Sequence, residues 1–292
     1  MVLYLGIDAG GSHTRARLSD ESGNTLGSGC SGPANSRIGL ELSIRAIEAA
    51  AQGAMEEAKL SSDKLSDIRA GIGIAGLNRP GIIKGLRAHA FPYQSLAIAS
   101  DAAIACLGAH LGEDGGVVIV GTGSIGFARV GEETIVVGGY GFPISDEGSG
   151  ADLGLRAIRQ SLWAKDGRIP HTDMTREIID GFSGMASEIV AWMDKATATD
   201  YAQFAPTVLK HAKAGDQVAE PIVQLAAMRI DRLTRVLFDQ GAPMCCLMGG
   251  VAECLYDWLA AGVRERLMPP RADALHGAIL LAELRGLPPG RT

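Results

Sequence analysis

The chain has 292 residues, 47% of them hydrophobic and 21% charged, a globular composition long enough for two domains with a core each. A net charge of -6 with scattered Lys and Arg leaves no basic footprint for nucleic acid. Asp, Arg, Gly or Pro interrupts each apolar run before it could span a bilayer.

The first predicted strand opens at Val2 with no signal-peptide pattern before it. Cys30, Cys106, Cys245, Cys246 and Cys254 are odd in number and lack zinc spacing, so reduced, mostly buried thiols in a cytoplasmic protein are expected. Val2 to Asp8 is apolar and β-prone, Thr14 to Ser19 alternates, and Thr25 to Cys30 adds a third strand after the turn ESGN. Leu40, Ile44, Ile47, Ala51, Ala54 and Ala58 recur at helical spacing. A buried strand at Arg69 to Gly76, the loop LNRPG, a helix at Ile82 to Ala90 and a strand at Leu96 to Ala99 follow, with a helix opening at about Asp101.

The second half restarts with strands at Val117 to Val120, Ile125 to Val130 and Thr134 to Val137. A helical stretch runs from Ala151 to about Gly241. Then come a strand at Met244 to Met248, a helix at Val251 to Ala261 and a closing helix at Ala274 to Leu284. An antiparallel hairpin feeding parallel strands through helices predicts a mixed α/β sheet in each half, hence a duplicated fold.

Each half carries a Gly-rich turn after its first strand. In Ala9-Gly10-Gly11-Ser12-His13-Thr14, glycines let backbone N–H groups approach phosphate oxygens, and Ser12 and Thr14 can donate hydroxyl hydrogen bonds. Gly121-Thr122-Gly123-Ser124 repeats the arrangement. Either could be a plain hairpin turn, but facing donor-rich turns in matching positions suit the β- and γ-phosphates of a nucleotide triphosphate. Asp8, ending the first strand, suits a hydrated magnesium ion or bonds to turn amides. Asp101 is either a helix cap or a general base toward a hydroxyl that attacks the γ-phosphate. Asn35 offers an amide to sugar hydroxyls or serves its turn. Asp146, in a loop shared with Tyr140, contacts sugar or a magnesium-bound water, or caps the helix near Ala151. Gly249 and Gly250 suit a platform under adenosine, although a strand-to-helix turn needs no ligand. The six histidines show no metal spacing.

Taken in order, LGIDAGGSHTRARL, GPANSRIG, SDAAIACLGAH, GTGSIGF, GGYGFPISDEGSG, LMGGVAE and DALHGAILLA resemble bacterial N-acetylglucosamine and glucosamine kinases. Those kinases fall in the BadF/BadG/BcrA/BcrD ATPase group of the actin-like superfamily. The resemblance covers nearly the whole chain and is weakest from about Arg168 to Asp216.

It implies an α/β chain of two RNase H-like (actin-like ATPase) domains flanking a nucleotide cleft. Residues 1–102 would form one domain, joined by the closing helix 274–292, and residues 103–273 the other, with a helical insertion. It also implies transfer of the ATP γ-phosphate to the 6-hydroxyl of an amino sugar, in amino-sugar salvage, by a homodimer. By position, it sets Asp8 near Mg2+, Asp101 as the base, and Gly10, Gly11, Ser12 and Thr14 in the first phosphate loop. Thr122, Gly123 and Ser124 fall in the second phosphate loop, Gly249 and Gly250 at the adenosine, and Asn35, Asp101, Tyr140 and Asp146 at the sugar. Tyr140 stands where animal relatives carry Trp, which bears on N-acetylglucosamine against glucosamine.

Three rival readings stand beside the kinase, the first built on the same superfamily. A reductive-dehydratase activator needs cluster-ligating cysteines at a dimer interface, and Cys245-Cys246 sits in an apolar strand. A non-catalytic, sugar-sensing regulator needs a DNA-binding motif, and an actin-like filament protein would hydrolyse ATP without sugar.

Overall fold

The computed structural model describes residues 2–35, 38–77, 81–284 and 286–287. Parts of the LNRPG loop, of GPANSRIG and of the closing segment 274–292 lie outside the described residues. The chain divides into two compact units. One comprises Met1–Val117, Phe127–Ile135 and Pro269–Thr292, and the other Val118–Gly126 and Val136–Met268.

The first unit contains β1 (Leu3–Ala9), β2 (Thr14–Asp20), β3 (Thr25–Ser31), α1 (Leu40–Glu57), β4 (Ile68–Ile74), α2 (Ile82–Ala88), β5 (Ser95–Ser100) and α3 (Asp101–His110). Its sheet runs β3-β2-β1-β4-β5, antiparallel through the first three strands and parallel from β1 to β5. The strand period of two sorts the faces. Leu3, Leu5, Ile7 and Ala9 of β1 share a core with Ile47, Ala50 and Ala54 of α1. Gly6 and its register partner Gly71 of β4 occupy the opposite face.

The remaining elements are β6 (Gly115–Val120), β7 (Ser124–Val130), β8 (Glu133–Gly138), α4 (Gly150–Lys165), α5 (Asp173–Asp180), α6 (Ala186–Met193), α7 (Ala198–Ala202), α8 (Ala205–Lys213), α9 (Ala219–Asp239), β9 (Cys245–Met248), α10 (Ala252–Leu255), α11 (Ala261–Arg264) and α12 (Ala274–Glu283). A second sheet runs β8-β7-β6-β9. The aromatic rings of Phe182, Trp192, Tyr201 and Phe204 pack together among α5 to α8.

Helix α12 belongs to the first unit. It lies against β1 and β4 so closely that a Cβ on Gly71 would meet the Ala278 carbonyl. Arg17 on β2 makes paired hydrogen bonds of 3.0 and 2.6 Å to the carboxylate of Asp273. That carboxylate also accepts from His276 N–H and so caps α12.

One expectation is corrected. The stretch predicted as a single helix from Val251 to Ala261 is broken into α10, a 3₁₀ turn at Tyr256–Trp258 and α11. Leu259 is extended and buried, and the Asp231 carboxylate takes the Ala260 N–H at 3.1 Å, so the helical ladder cannot continue through this point.

Candidate functional site

In the first unit, the candidate residues gather at the carboxyl ends of the parallel strands, where α/β sheets bind ligands. Asp8, the residue before the end of β1, is in register with Gly73 of β4, which is in register with Ala99 of β5, and Asp101 follows β5 directly. Asn35 bridges Ala75 just beyond β4, and Ala75 N–H donates to the Ala9 carbonyl at 3.0 Å. The Asn35 carbonyl accepts from Ser43 Oγ at 3.0 Å, which ties its loop to α1.

Asp101 is not the helix cap. Ser100 holds that position, its hydroxyl accepting from Ala103 N–H at 3.1 Å. Asp101 is the first helical residue, and its Oδ1 accepts from Ala102 N–H at 2.9 Å. Burial, and after it the negative charge of Asp8, pushes the Asp101 carboxyl above the usual carboxylate range. A carboxyl raised in this way holds a proton more tightly than an ordinary aspartate does.

Asp8 has a partner that its strand pattern does not announce. Arg15 lies directly opposite in the β1–β2 register, with Nη2 2.6 Å from Asp8 Oδ2. The alternation of TRARL puts Arg15 and Arg17 on one face of β2, but only the β1–β2 register shows that Asp8 shares it.

The two Gly-rich turns share a construction. Gly10 N–H donates to the His13 carbonyl at 3.0 Å, and Gly121 N–H to the Gly123 carbonyl at 2.9 Å. In the first turn Gly11 and Ser12 are exposed, while Thr14 is fully buried and donates to the Gly32 carbonyl at 2.9 Å. In the second, Thr122 is exposed, while Ser124 is buried and donates to the Glu147 carbonyl at 2.8 Å. One hydroxyl in each turn is thus available and the other anchors the turn. Thr14 and Ser124, both expected in phosphate loops, are anchors.

The second turn is embedded in its unit. Gly150 and Ala151 N–H groups at the start of α4 donate to the Gly121 and Thr122 carbonyls at 2.8 and 3.2 Å. Val251 N–H donates to the Val120 carbonyl at 3.0 Å, which brings Gly249 and Gly250 beside it. Gly249 has φ +105° and lies against the Val120 backbone, so its glycine serves the fold. Gly250 has ordinary φ and open space where a Cβ would sit, so the fold itself does not require glycine there.

Asp146 does not cap α4, a role taken by Ser149. It is buried with φ 63°, and its carboxylate packs on Gly123, where an added Cβ would stand 2.6 Å from Oδ2. Tyr140 is 81% exposed. Burial pushes the Cys245 thiol up to about 12 and the Cys246 thiol up to about 11, the reverse of what cluster-ligating thiolates need.

These features define an α/β protein of two sheets with a phosphate-type turn following the first strand of each. The chain belongs to the BadF/BadG/BcrA/BcrD ATPase family, whose description matches residues 5–282. It is 40% identical to glucosamine kinase GspK of Vibrio cholerae, over 97% of this chain and 96% of that one. It superposes on a Chromobacterium violaceum structure solved as a candidate N-acetylglucosamine kinase, with TM-score 0.89, 33% identity and coverage of 97% and 99%. ROK hexokinase from Thermus thermophilus shares the fold, with TM-score 0.57, 20% identity and coverage of 97% and 99%. Among the described residues, no helix is long and apolar enough to cross a membrane.

Proposed function

We propose that this chain is an ATP-dependent amino-sugar kinase that phosphorylates the 6-hydroxyl of glucosamine or N-acetylglucosamine in cytoplasmic salvage, acting as a homodimer. The observation that carries the reading is Asp101. It is a buried-side carboxylate with a raised pKa at the end of β5, influenced by the charge of Asp8 and on the same strand-end edge as Asn35. Glucosamine kinase GspK at 40% identity supports the amino-sugar class.

In this reading Asp101 accepts the sugar 6-hydroxyl proton as its oxygen attacks the γ-phosphate. Gly10, Gly11 and Ser12, with Thr122 and Gly123, direct backbone and hydroxyl donors at the phosphates, and Thr14 and Ser124 hold those turns in shape. Gly249 and Gly250 carry the adenosine, and Asn35, Tyr140 and Asp146 contact the sugar. The division into residues 1–102 with 274–292 against 103–273 matches the two compact units only in outline, because residues 103–117 and 127–135 belong to the first unit. Asp8 and Asp101 are oxygen donors whose charges repel, which fits a magnesium ion held through few protein ligands and several waters. Bound there, Mg2+ would neutralise charge on the transferring phosphate.

The test is ADP release with Mg-ATP and, in turn, glucosamine, N-acetylglucosamine, glucose and N-acetylmannosamine. Turnover with an amino sugar is expected, and silence with all four would remove the substrate assignment. The buried Cys245-Cys246 pair disfavours the dehydratase-activator alternative.

A further inference from the structure

The helical part of the second unit holds a groove remote in sequence from both turns. It lies between α4 and the start of α9 and has a volume of about 430 Å³, inside the range of roughly 300–1,000 Å³ common for small-ligand sites. Arg156, Arg159, Gln160 and Trp163 line it from α4, at the i, i+3, i+4, i+7 spacing that places them on one helical face. Pro221 and Leu225 of α9 form the opposite wall.

The charges here do not cancel. Arg156 donates through Nε to Asp152 at 2.9 Å, and Asp152 is also engaged by Arg229 at 2.9 Å and by Gly148 N–H at 3.0 Å. Asp216, near the groove, accepts from Val218 and Ala219 N–H at the start of α9. Arg159 is exposed and has neither an ion pair nor a side-chain hydrogen bond among the described residues. Beyond the groove lining, the Arg168 guanidinium lies 4.7 Å from the Trp163 ring centroid and is balanced by Asp166, 3.8 Å from its Nε.

We propose that this groove binds a sugar phosphate. Guanidinium groups present forked donors that match phosphate oxygens, and Arg159 has all of its donors available. The remaining donors of Arg156 reach the same anion. The Gln160 amide suits ring hydroxyls, and Trp163, Pro221 and Leu225 offer apolar surface to the carbon face of the ring. None of these residues belongs to the proposed reaction site, whereas the choice of a sugar phosphate as ligand rests on the kinase reading.

The experiment is calorimetric titration of the full chain with glucosamine 6-phosphate, in saturating ADP and glucosamine to occupy the reaction site. A saturable event is expected, weakened about tenfold or more in Arg159→Ala, partly retained in Arg159→Lys and unchanged in Asp101→Asn. Absence of binding, equal binding by Arg159→Ala, or equally tight binding of inorganic phosphate would overturn the proposal. The titration needs no turnover, so its failure is distinct from failure of the kinase assay.

Discussion

Asp8 and Arg15 stand opposite each other across the β1–β2 pair, the guanidinium 2.6 Å from the carboxylate. The Arg15 side chain is 54% exposed and that of Asp8 only 15%, so the arginine leans from solvent onto a carboxylate near the end of the central strand. Half-exposed pairs contribute at most about 1 kcal/mol to folding. Arg15→Ala should therefore shift the melting temperature by no more than about 2–4 °C. We predict that it lowers kcat/KM for Mg-ATP severalfold by freeing Asp8 to move, and that Arg15→Lys recovers most of the loss. Unchanged kinetics in the alanine variant would mean the pair has no role in the reaction.

Asp101→Asn should keep the fold and lose turnover by about 10²–10⁴-fold. Its stability has a definite sign. A carboxyl whose folded pKa is raised binds its proton more tightly in the folded state, so its contribution falls as pH rises from the unfolded toward the folded value. Removing the charge should leave the variant as stable as the parent at pH 7, or more so. That gap should close in acid, below the ordinary range of aspartate. Thermal melts across pH check this, and a variant clearly less stable at pH 7 would contradict it. In the parent, kcat/KM should fall on the acid side at a pH above that range.

The two hydroxyls of each turn should separate by phenotype. Thr14→Ala and Ser124→Ala leave the Gly32 and Glu147 carbonyls without their partners, at a cost of about 1–3 kcal/mol. Ser12→Ala and Thr122→Ala should melt like the parent and raise KM for ATP. Urea titration beside steady-state kinetics reads both, and the reverse pattern would overturn the division between anchoring and available hydroxyls.

Neighbouring glycines offer a sharper contrast. Gly249→Ala forces a Cβ onto the Val120 backbone at φ +105°, and strain of that kind costs about 1–3 kcal/mol or more. Gly250→Ala meets open space, so it should fold normally and weaken nucleotide binding alone. If both variants melt like the parent and bind ADP equally well, the adenosine assignment of this pair is wrong.

Much of this was legible in the residues. Apolar strands running into Gly, Ser and Thr announce both turns, and Asp8 and Asp101 stand at strand ends in plain view. What pattern reading missed has physical causes. Thr14 alternates inward with Ala16 and Leu18, as Ser124 does with Gly126 and Ala128, so counting by two would have marked both hydroxyls as buried. The Arg15 pairing needed the hairpin register, which a turn of uncertain length hides. The break near Leu259 depends on Asp231, far upstream, and no local window contains it.

Helix α12 closes the face of β1 and β4 with the backbones of Ala274–Glu283 resting on Gly6 and Gly71. Glycine at those two positions leaves no side chain between the strand backbones and the helix where they touch. During synthesis, β1 to β5 therefore leave the ribosome long before the element that completes their layer. The helices of the second unit have all the material for their own packing earlier. Assembly of the unit that bears Asp8 and Asp101 thus waits on α12. A chain shortened before Ala274 should accumulate with a folded helical part and an open, aggregation-prone sheet.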